Sequence, residues 1–201
     1  MRMAAVNGIT VGYEDEGHGP PLVLIHGHPF DRSMWAPQVT EFARSGWRVI
    51  VPDLRGYGDT TVVAGRTPME TFACDIAALL DRLHVGDVVL GGLSMGGQIV
   101  MECYRLFAHR IRGLLLADTS PQAETDEGKT FRNEVADRLL REGMAGYAGE
   151  MLARMIAPYN VQVLPAVAAH VHDMMAAAPA AGAAAAVRGR AERRDYCRVL
   201  P

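Results

Sequence analysis

The 201-residue chain carries 20 basic and 23 acidic side chains, a formal charge of −3, with 49% apolar and 21% charged residues. That balance excludes a strongly basic nucleic-acid binder or a polybasic membrane-surface protein, while the apolar share suffices for a substantial core. The length suits one domain, or one domain carrying an inserted lid.

The N-terminal run "MRMAAVNGITVGYEDEG" has no charged head followed by a long apolar stretch, so it does not read as a secretory signal. No apolar run approaches the ~18 residues of a membrane span. Cys74, Cys103 and Cys197 are odd in number and widely spaced, which suits neither a disulfide framework nor a zinc site. A reducing cytoplasm is the expected setting, and Cys103 is expected to pack as a small hydrophobe.

In chain order, short apolar runs alternate with amphipathic segments. Ile9 to Tyr13, Leu22 to Ile25, Arg48 to Val51, Val88 to Leu90 and Gly113 to Ala117 read as strands, the later ones apolar throughout, as for parallel strands covered on both faces. Thr67-Pro68-Met69-Glu70 has the form of a capping box, followed by Phe72, Ile76, Leu79, Leu80 and Leu83 at helical spacing. The same period returns at Ile99, Cys103, Leu106 and Phe107. The alternation predicts an α/β protein with a mostly parallel sheet and flanking helices, its ligand site outside the carboxyl ends of the strands.

After Asp118 the pattern becomes helical. Phe131, Val135 and Leu139 mark one helix, Tyr147, Met151 and Met155 another, and Leu164, Val167, Val171 and Met174 a third. The methionines either fill ordinary core gaps or give an adaptable apolar surface. An alanine-rich stretch with Pro179 and Gly182 follows. The arginines between Arg188 and Arg198, interrupted by Glu192 and Asp195, read as a solvated helix face.

Three motifs carry chemistry. Gly92-Leu93-Ser94-Met95-Gly96 is G-x-S-x-G between a strand and a helix, the setting in which serine becomes an exposed nucleophile on a strained turn. The flanking glycines remove atoms that would clash with the neighbouring strand and helix, and the helix behind Ser94 points its positive end at the reaction centre. The second motif is "HGHP", His26 to Pro29, at a strand end. Its His28 backbone N–H, paired with that of Met95, makes a candidate oxyanion hole. His26 reads as an anchor of this loop. Two histidines without a further ligand cluster do not make a metal site. The third motif, "PDLRGYGDT" from Pro52 to Thr60, places Asp53 and Arg55 in a tight loop that reads as structural support for the site, with direct catalysis by Asp53 as the lesser alternative.

The order "HGHP", "DLRGYG", "GLSMGG" resembles the α/β-hydrolase superfamily, and within it the small serine carboxylesterases, lactonases and cofactor-free haloperoxidase-like perhydrolases. That resemblance implies that Ser94 attacks an ester carbonyl, with no metal or organic cofactor. It implies a core over residues 1–118, a helical lid over 119–194 and a start of the return to the core over 195–201. Serine at the elbow argues against the branches whose nucleophile is aspartate.

In the resembled family the chain returns from the lid into two more strand–helix units, the acid following the first of these strands and the histidine base lying beyond the second, and neither is found in this chain. Asp118, ending "GLLLAD", stands either as an alternative acid or as a polar residue where the lid begins. His84 and His109 fall near helix ends on the wrong side of the sheet, and His170 and His172 in the lid are expected to face solvent or the lid's own packing. The chain alone is therefore expected to be essentially inactive as an esterase, a ligand-binding protein of hydrolase fold being the alternative. "GLLLA" is expected to form an exposed apolar edge that favours instability or self-association. The expected partner is a small ester, with neither nucleic acid nor membrane involved.

Overall fold

A computed structural model describes residues 1–200 of the chain. Six strands, β1 (Arg2–Val6), β2 (Ile9–Glu16), β3 (Pro21–Ile25), β4 (Arg48–Pro52), β5 (Val88–Leu93) and β6 (Ile111–Ala117), form one sheet in the order β1-β2-β4-β3-β5-β6. The first two pairings are antiparallel, and β4, β3, β5 and β6 run parallel. The expected α/β class and its mostly parallel sheet are therefore observed.

Period-two alternation within the apolar strands explains how both faces are covered. Leu22, Leu24, Val49 and Val51 pack with Trp35 and with Val39 of α1 (Ala36–Arg44). Val23, Ile25, Ile50 and Leu90 point the other way. They meet Phe72, Ile76 and Leu79 of α2 (Met69–Arg82) and Ile99, Val100 and Cys103 of α3 (Met95–Phe107). Each such fully buried side chain contributes ~1.5–3 kcal/mol relative to exposure.

Strand β1 is not foreseen from the sequence. It pairs with β2 through a tight hairpin at Asn7-Gly8, both with positive φ (45° and 76°), the geometry that Asn-Gly favours. The capping box does not form either. Pro68 occupies the N-cap of α2 without a side-chain cap, while Thr67 is buried and its N–H donates to the Ala185 carbonyl at 2.9 Å. Tertiary docking has taken the position from the local cap.

Five helices follow β6: α4 (Asp126–Glu142), α5 (Ala145–Met155), α6 (Pro158–Val163), α7 (Pro165–Ala177) and α8 (Ala180–Ala191). The three anticipated helices correspond to α4, α5 and α7, and the alanine-rich stretch forms α8. This helix is buried along Gly182–Val187, and small residues let it approach the core closely. A Cβ on Gly182 would lie 2.0 Å from the Gly56 carbonyl oxygen. The arginine cluster departs from the expected solvated face. Arg193 is buried and donates to the Gln122 carbonyl at 2.9 Å and to Glu124 at 2.6 Å. At the sheet edge β6 leaves Leu115 42% and Leu116 37% exposed, so the expected apolar edge is present. The last position of the 195–201 segment, Pro201, lies outside the described residues. No helix among the described residues is long and apolar enough to cross a membrane.

Candidate active site

Strand β5 ends at Leu93 and α3 begins at Met95, so Ser94 alone turns the chain. Its φ of 52° and ψ of −113° are strained for a residue with a side chain and persist only where the surroundings over-determine them. Here they do. The Ser94 N–H donates to the Ala117 carbonyl at 2.9 Å, and the Ser94 carbonyl accepts from Gln98 N–H at 3.2 Å and from the Thr119 hydroxyl at 2.7 Å. Close approach completes the turn. A Cβ on Gly92 would meet the Gly96 carbonyl carbon at 2.3 Å, and one on Gly96 would meet the Ile25 oxygen at 2.2 Å.

Ser94 is half-buried and lines a cavity of about 180 Å³. The side chains of Val135, Tyr147, Met151, Met155 and Val187 give the cavity an apolar wall, and Arg132, Arg154 and Arg190 bring charge to it. Among the described residues the Ser94 hydroxyl has no hydrogen-bond partner, and neither do the backbone N–H groups of His28 and Met95. The Met95 N–H is the first of α3, one of the donors that a helix start leaves free.

Two buried histidines organise the floor. His26 Nε2 accepts from the Leu54 N–H at 2.9 Å, which places the proton on Nδ1, where it donates to the Gly27 carbonyl at 2.9 Å. Desolvation lowers its pKa and keeps the ring neutral. His26 thus ties the His26–Pro29 loop to the Pro52–Thr60 loop, as anticipated. His28 bonds through Nδ1 to the Tyr57 hydroxyl at 2.7 Å, while its Nε2 is buried without a partner. Desolvation, with Arg190 and Arg132 adding repulsion, brings its pKa down to about 3.

Asp53 is enclosed beneath this floor. Its Oδ1 accepts from the Arg32 N–H at 2.8 Å and its Oδ2 from the Asp59 N–H at 2.9 Å, with the Arg32 guanidinium paired to the same oxygen. Its side chain thus holds the Arg32 and Asp59 segments together, and its N–H donates to the Gly12 carbonyl of β2 at 2.8 Å, which fits a supporting role. Arg55 likewise grips Asp75 through two hydrogen bonds of 2.6 and 2.8 Å.

Asp118 follows the last residue of β6 with φ of 42°, is exposed, and makes no side-chain hydrogen bond among the described residues. No histidine is brought to it. His84 follows α2, and His109 lies beyond the far end of α3, which carries the chain ~20 Å from Ser94. His170 is exposed, as expected, and its Nε2 lies 3.2 Å from the Ser33 hydroxyl of the core. His172 sits beside its neighbour Asp173. The methionines divide: Met144, Met174 and Met175 are buried as core filler, whereas Met151 and Met155 line the cavity. Among the described residues no group of three His, Cys, Asp or Glu side chains converges as a metal site would require.

Sequence reasoning missed Tyr57, Gln98 and Arg190. Tyr57 sits inside the quoted "RGYG" run, but only folding reveals that its hydroxyl meets His28. Arg190 was hidden within a charge cluster whose members have separate fates.

A sheet of this topology with a strained serine between β5 and α3 defines the alpha/beta hydrolase fold. The chain belongs to that family, whose profile matches residues 20–142. It is similar over 99% of its length to a thermophilic esterase from Thermogutta terrifontis, with 41% identity, a TM-score of 0.94 and 74% of that chain covered. An enol-lactonase from Burkholderia xenovorans is 29% identical with a TM-score of 0.88, over 94% of this chain and 73% of that one. A non-heme chloroperoxidase of Kitasatospora aureofaciens is 35% identical over 116 residues, 57% of this chain and 42% of that protein. The chain thus spans less than half the length of that curated relative.

Proposed function

We propose that Ser94 is the nucleophile of a serine hydrolase acting on small carboxylic esters or lactones through an acyl-enzyme. The observation that carries this reading is the strained Ser94 backbone at the head of α3, with the hydroxyl free of partners and facing a cavity. Attack of Oγ on the ester carbonyl forms a tetrahedral intermediate. Its oxyanion would be received by the N–H groups of His28 and Met95, and each such donor is typically worth ~3 kcal/mol of transition-state stabilisation. Collapse expels the alcohol or opens the lactone, and water releases the acid. Hydrogen peroxide in place of that water would give a peracid from the same acyl-enzyme. Helices α4–α8, over 119–194, would act as a cap that shapes the acyl pocket, on a core of residues 1–118. The esterase and lactonase named among the similar structures support the substrate class.

Attack also needs a base. No imidazole among the described residues hydrogen-bonds to the Ser94 hydroxyl, and His28, with its pKa near 3, is a poor proton acceptor at neutral pH. A serine triad without its base retains only ~10³–10⁴-fold acceleration over water. This favours a second reading for the chain by itself, a hydrolase fold that binds an ester ligand without efficient turnover. A fluorophosphonate probe separates the two. Labelling at Ser94 that disappears in Ser94→Ala supports the nucleophile, whereas ester binding without labelling supports the second reading.

A further inference from the structure

The cavity in front of Ser94 holds more positive charge than its neighbours neutralise. Arg132 pairs with Glu124, but that carboxylate is shared with Arg193, so two guanidiniums draw on one anion. Arg190, half-buried, donates through Nε to the neutral Gln98 Oε1 at 2.9 Å and has no carboxylate within 4 Å among the described residues. Arg154, on the outer wall, likewise forms no ion pair there. The acidic groups nearest that wall, Glu134 and Glu150, line the adjacent outer cavity, and Glu150 is already engaged by Arg138.

Placing a guanidinium away from water without a counter-charge is costly, and a bound anion would offset that cost. Gln98 lies one helical turn after Ser94 on α3, and its backbone is bonded to the Ser94 carbonyl. The nucleophile and the Arg190 guanidinium are therefore positioned from the same turn of helix. A second observation points into the same space. His28 lines this cavity and is more than nine-tenths buried, yet its Nε2 has no protein partner. An uncompensated cation and an orphaned ring nitrogen beside an apolar wall describe a site for a short ligand with a methylene body and a carboxylate end.

We propose that the pocket selects esters carrying a carboxylate, such as half-esters of short dicarboxylic acids, with Arg190 as the residue that reads the anionic end. This specifies the substrate of the hydrolase reading and rests on it for the position of the ester carbonyl at Ser94. Arg190 stays protonated in this setting at neutral pH, although desolvation, with Arg132 and Arg193 close by, brings its pKa down to about 10.

The test uses the 201-residue chain carrying Ser94→Ala, so that turnover does not disturb the titration. Calorimetry compares monomethyl succinate with the neutral methyl butyrate. A carboxylate held by a poorly solvated guanidinium is expected to favour the half-ester on the order of 10- to 100-fold. The preference should collapse in Arg190→Gln and largely survive in Arg190→Lys. In the chain with Ser94 intact, monomethyl succinate should slow fluorophosphonate labelling. Equal binding of the two esters, or a preference that persists in Arg190→Gln, overturns the anionic site and leaves the nucleophile untouched. Absent labelling with an Arg190-dependent preference overturns the hydrolase reading and leaves a carboxylate-binding pocket. If Arg190→Gln does not fold, the decision falls to the preference of the parent chain and its decline with added salt, and a salt-independent preference counts against the proposal.

Discussion

His28 Nδ1 and the Tyr57 hydroxyl meet at 2.7 Å with their rings nearly perpendicular, at 82°. Burial pushes the Tyr57 phenol well above its ordinary range, so the hydroxyl keeps its proton and the pair is neutral.

This neutrality has a consequence for acid stability. The unfolded histidine titrates near ~6.5, whereas His28 in the fold is held at about 3. Above pH 6.5 the ring is neutral in both states and contributes no pH dependence. As pH falls toward 3 the unfolded chain takes up a proton that the fold refuses, so stability is lost across that window, by roughly 5 kcal/mol at most. Urea unfolding between pH 6.5 and 5, above the range in which carboxylates titrate, should show this slope. His28→Asn should reduce it by up to ~1.4 kcal/mol per pH unit. An unchanged slope would mean that His28 already accepts a proton in the fold.

Asp53 predicts a second stability effect. Removing its carboxylate leaves the Arg32 guanidinium without its enclosed partner and frees the Asp59 N–H. Asp53→Ala should cost ~1–3 kcal/mol, the penalty for unsatisfied buried donors, because Arg32 keeps the carboxylates of Asp59 and Glu14 at 2.8 and 3.5 Å. Denaturant unfolding checks the value. A loss below about 1 kcal/mol, the scale of an exposed salt bridge, would contradict the enclosed geometry.

The exposed edge of β6 predicts self-association. Leu115 and Leu116 stand open on a strand that, among the described residues, pairs only with β5, and an apolar free edge invites pairing with another chain. Light scattering of the 201-residue chain should show mass rising with concentration, and Leu115→Lys with Leu116→Lys should suppress the rise. A monomer at all concentrations would refute the prediction.

A fourth prediction concerns the seam between α8 and the Pro52–Thr60 loop. Gly182→Ala would drive a methyl carbon to 2.0 Å from the Gly56 oxygen, backbone against backbone. The helix must move to relieve it, at a cost of ~1–3 kcal/mol or more. Thermal unfolding should reveal the loss, while Gly146→Ala, at a position with open space around it, should leave stability within ~0.5 kcal/mol.

The sheet and the Ser94 turn were legible because their causes are local. Continuous apolar runs mark covered strands, and G-x-S-x-G between a strand and a helix marks a constrained bend. The Asn7-Gly8 hairpin was equally local and went unread because β1, "RMAAV", carries little strand character of its own. Thr67 failed as a cap because its backbone N–H found Ala185, 118 positions away, a contact that no window of sequence contains. Arg190 and Arg193 show the same limit for charge. Composition describes the cluster, but the partners Gln98 and Glu124 lie 92 and 69 positions away and decide which arginines remain in water.

The glycine contact between residues 56 and 182 also bears on how a ligand would reach the cavity at Ser94. With Thr67 bonded to Ala185 as well, α8 is anchored to the core at two points, which opposes an outward swing of that helix. The opposite wall carries Met151, Met155 and exposed Arg154, and a ligand entering on that side would pass them. Such a molecule would meet Arg154 before Arg190, and both guanidiniums would favour the same sign of charge.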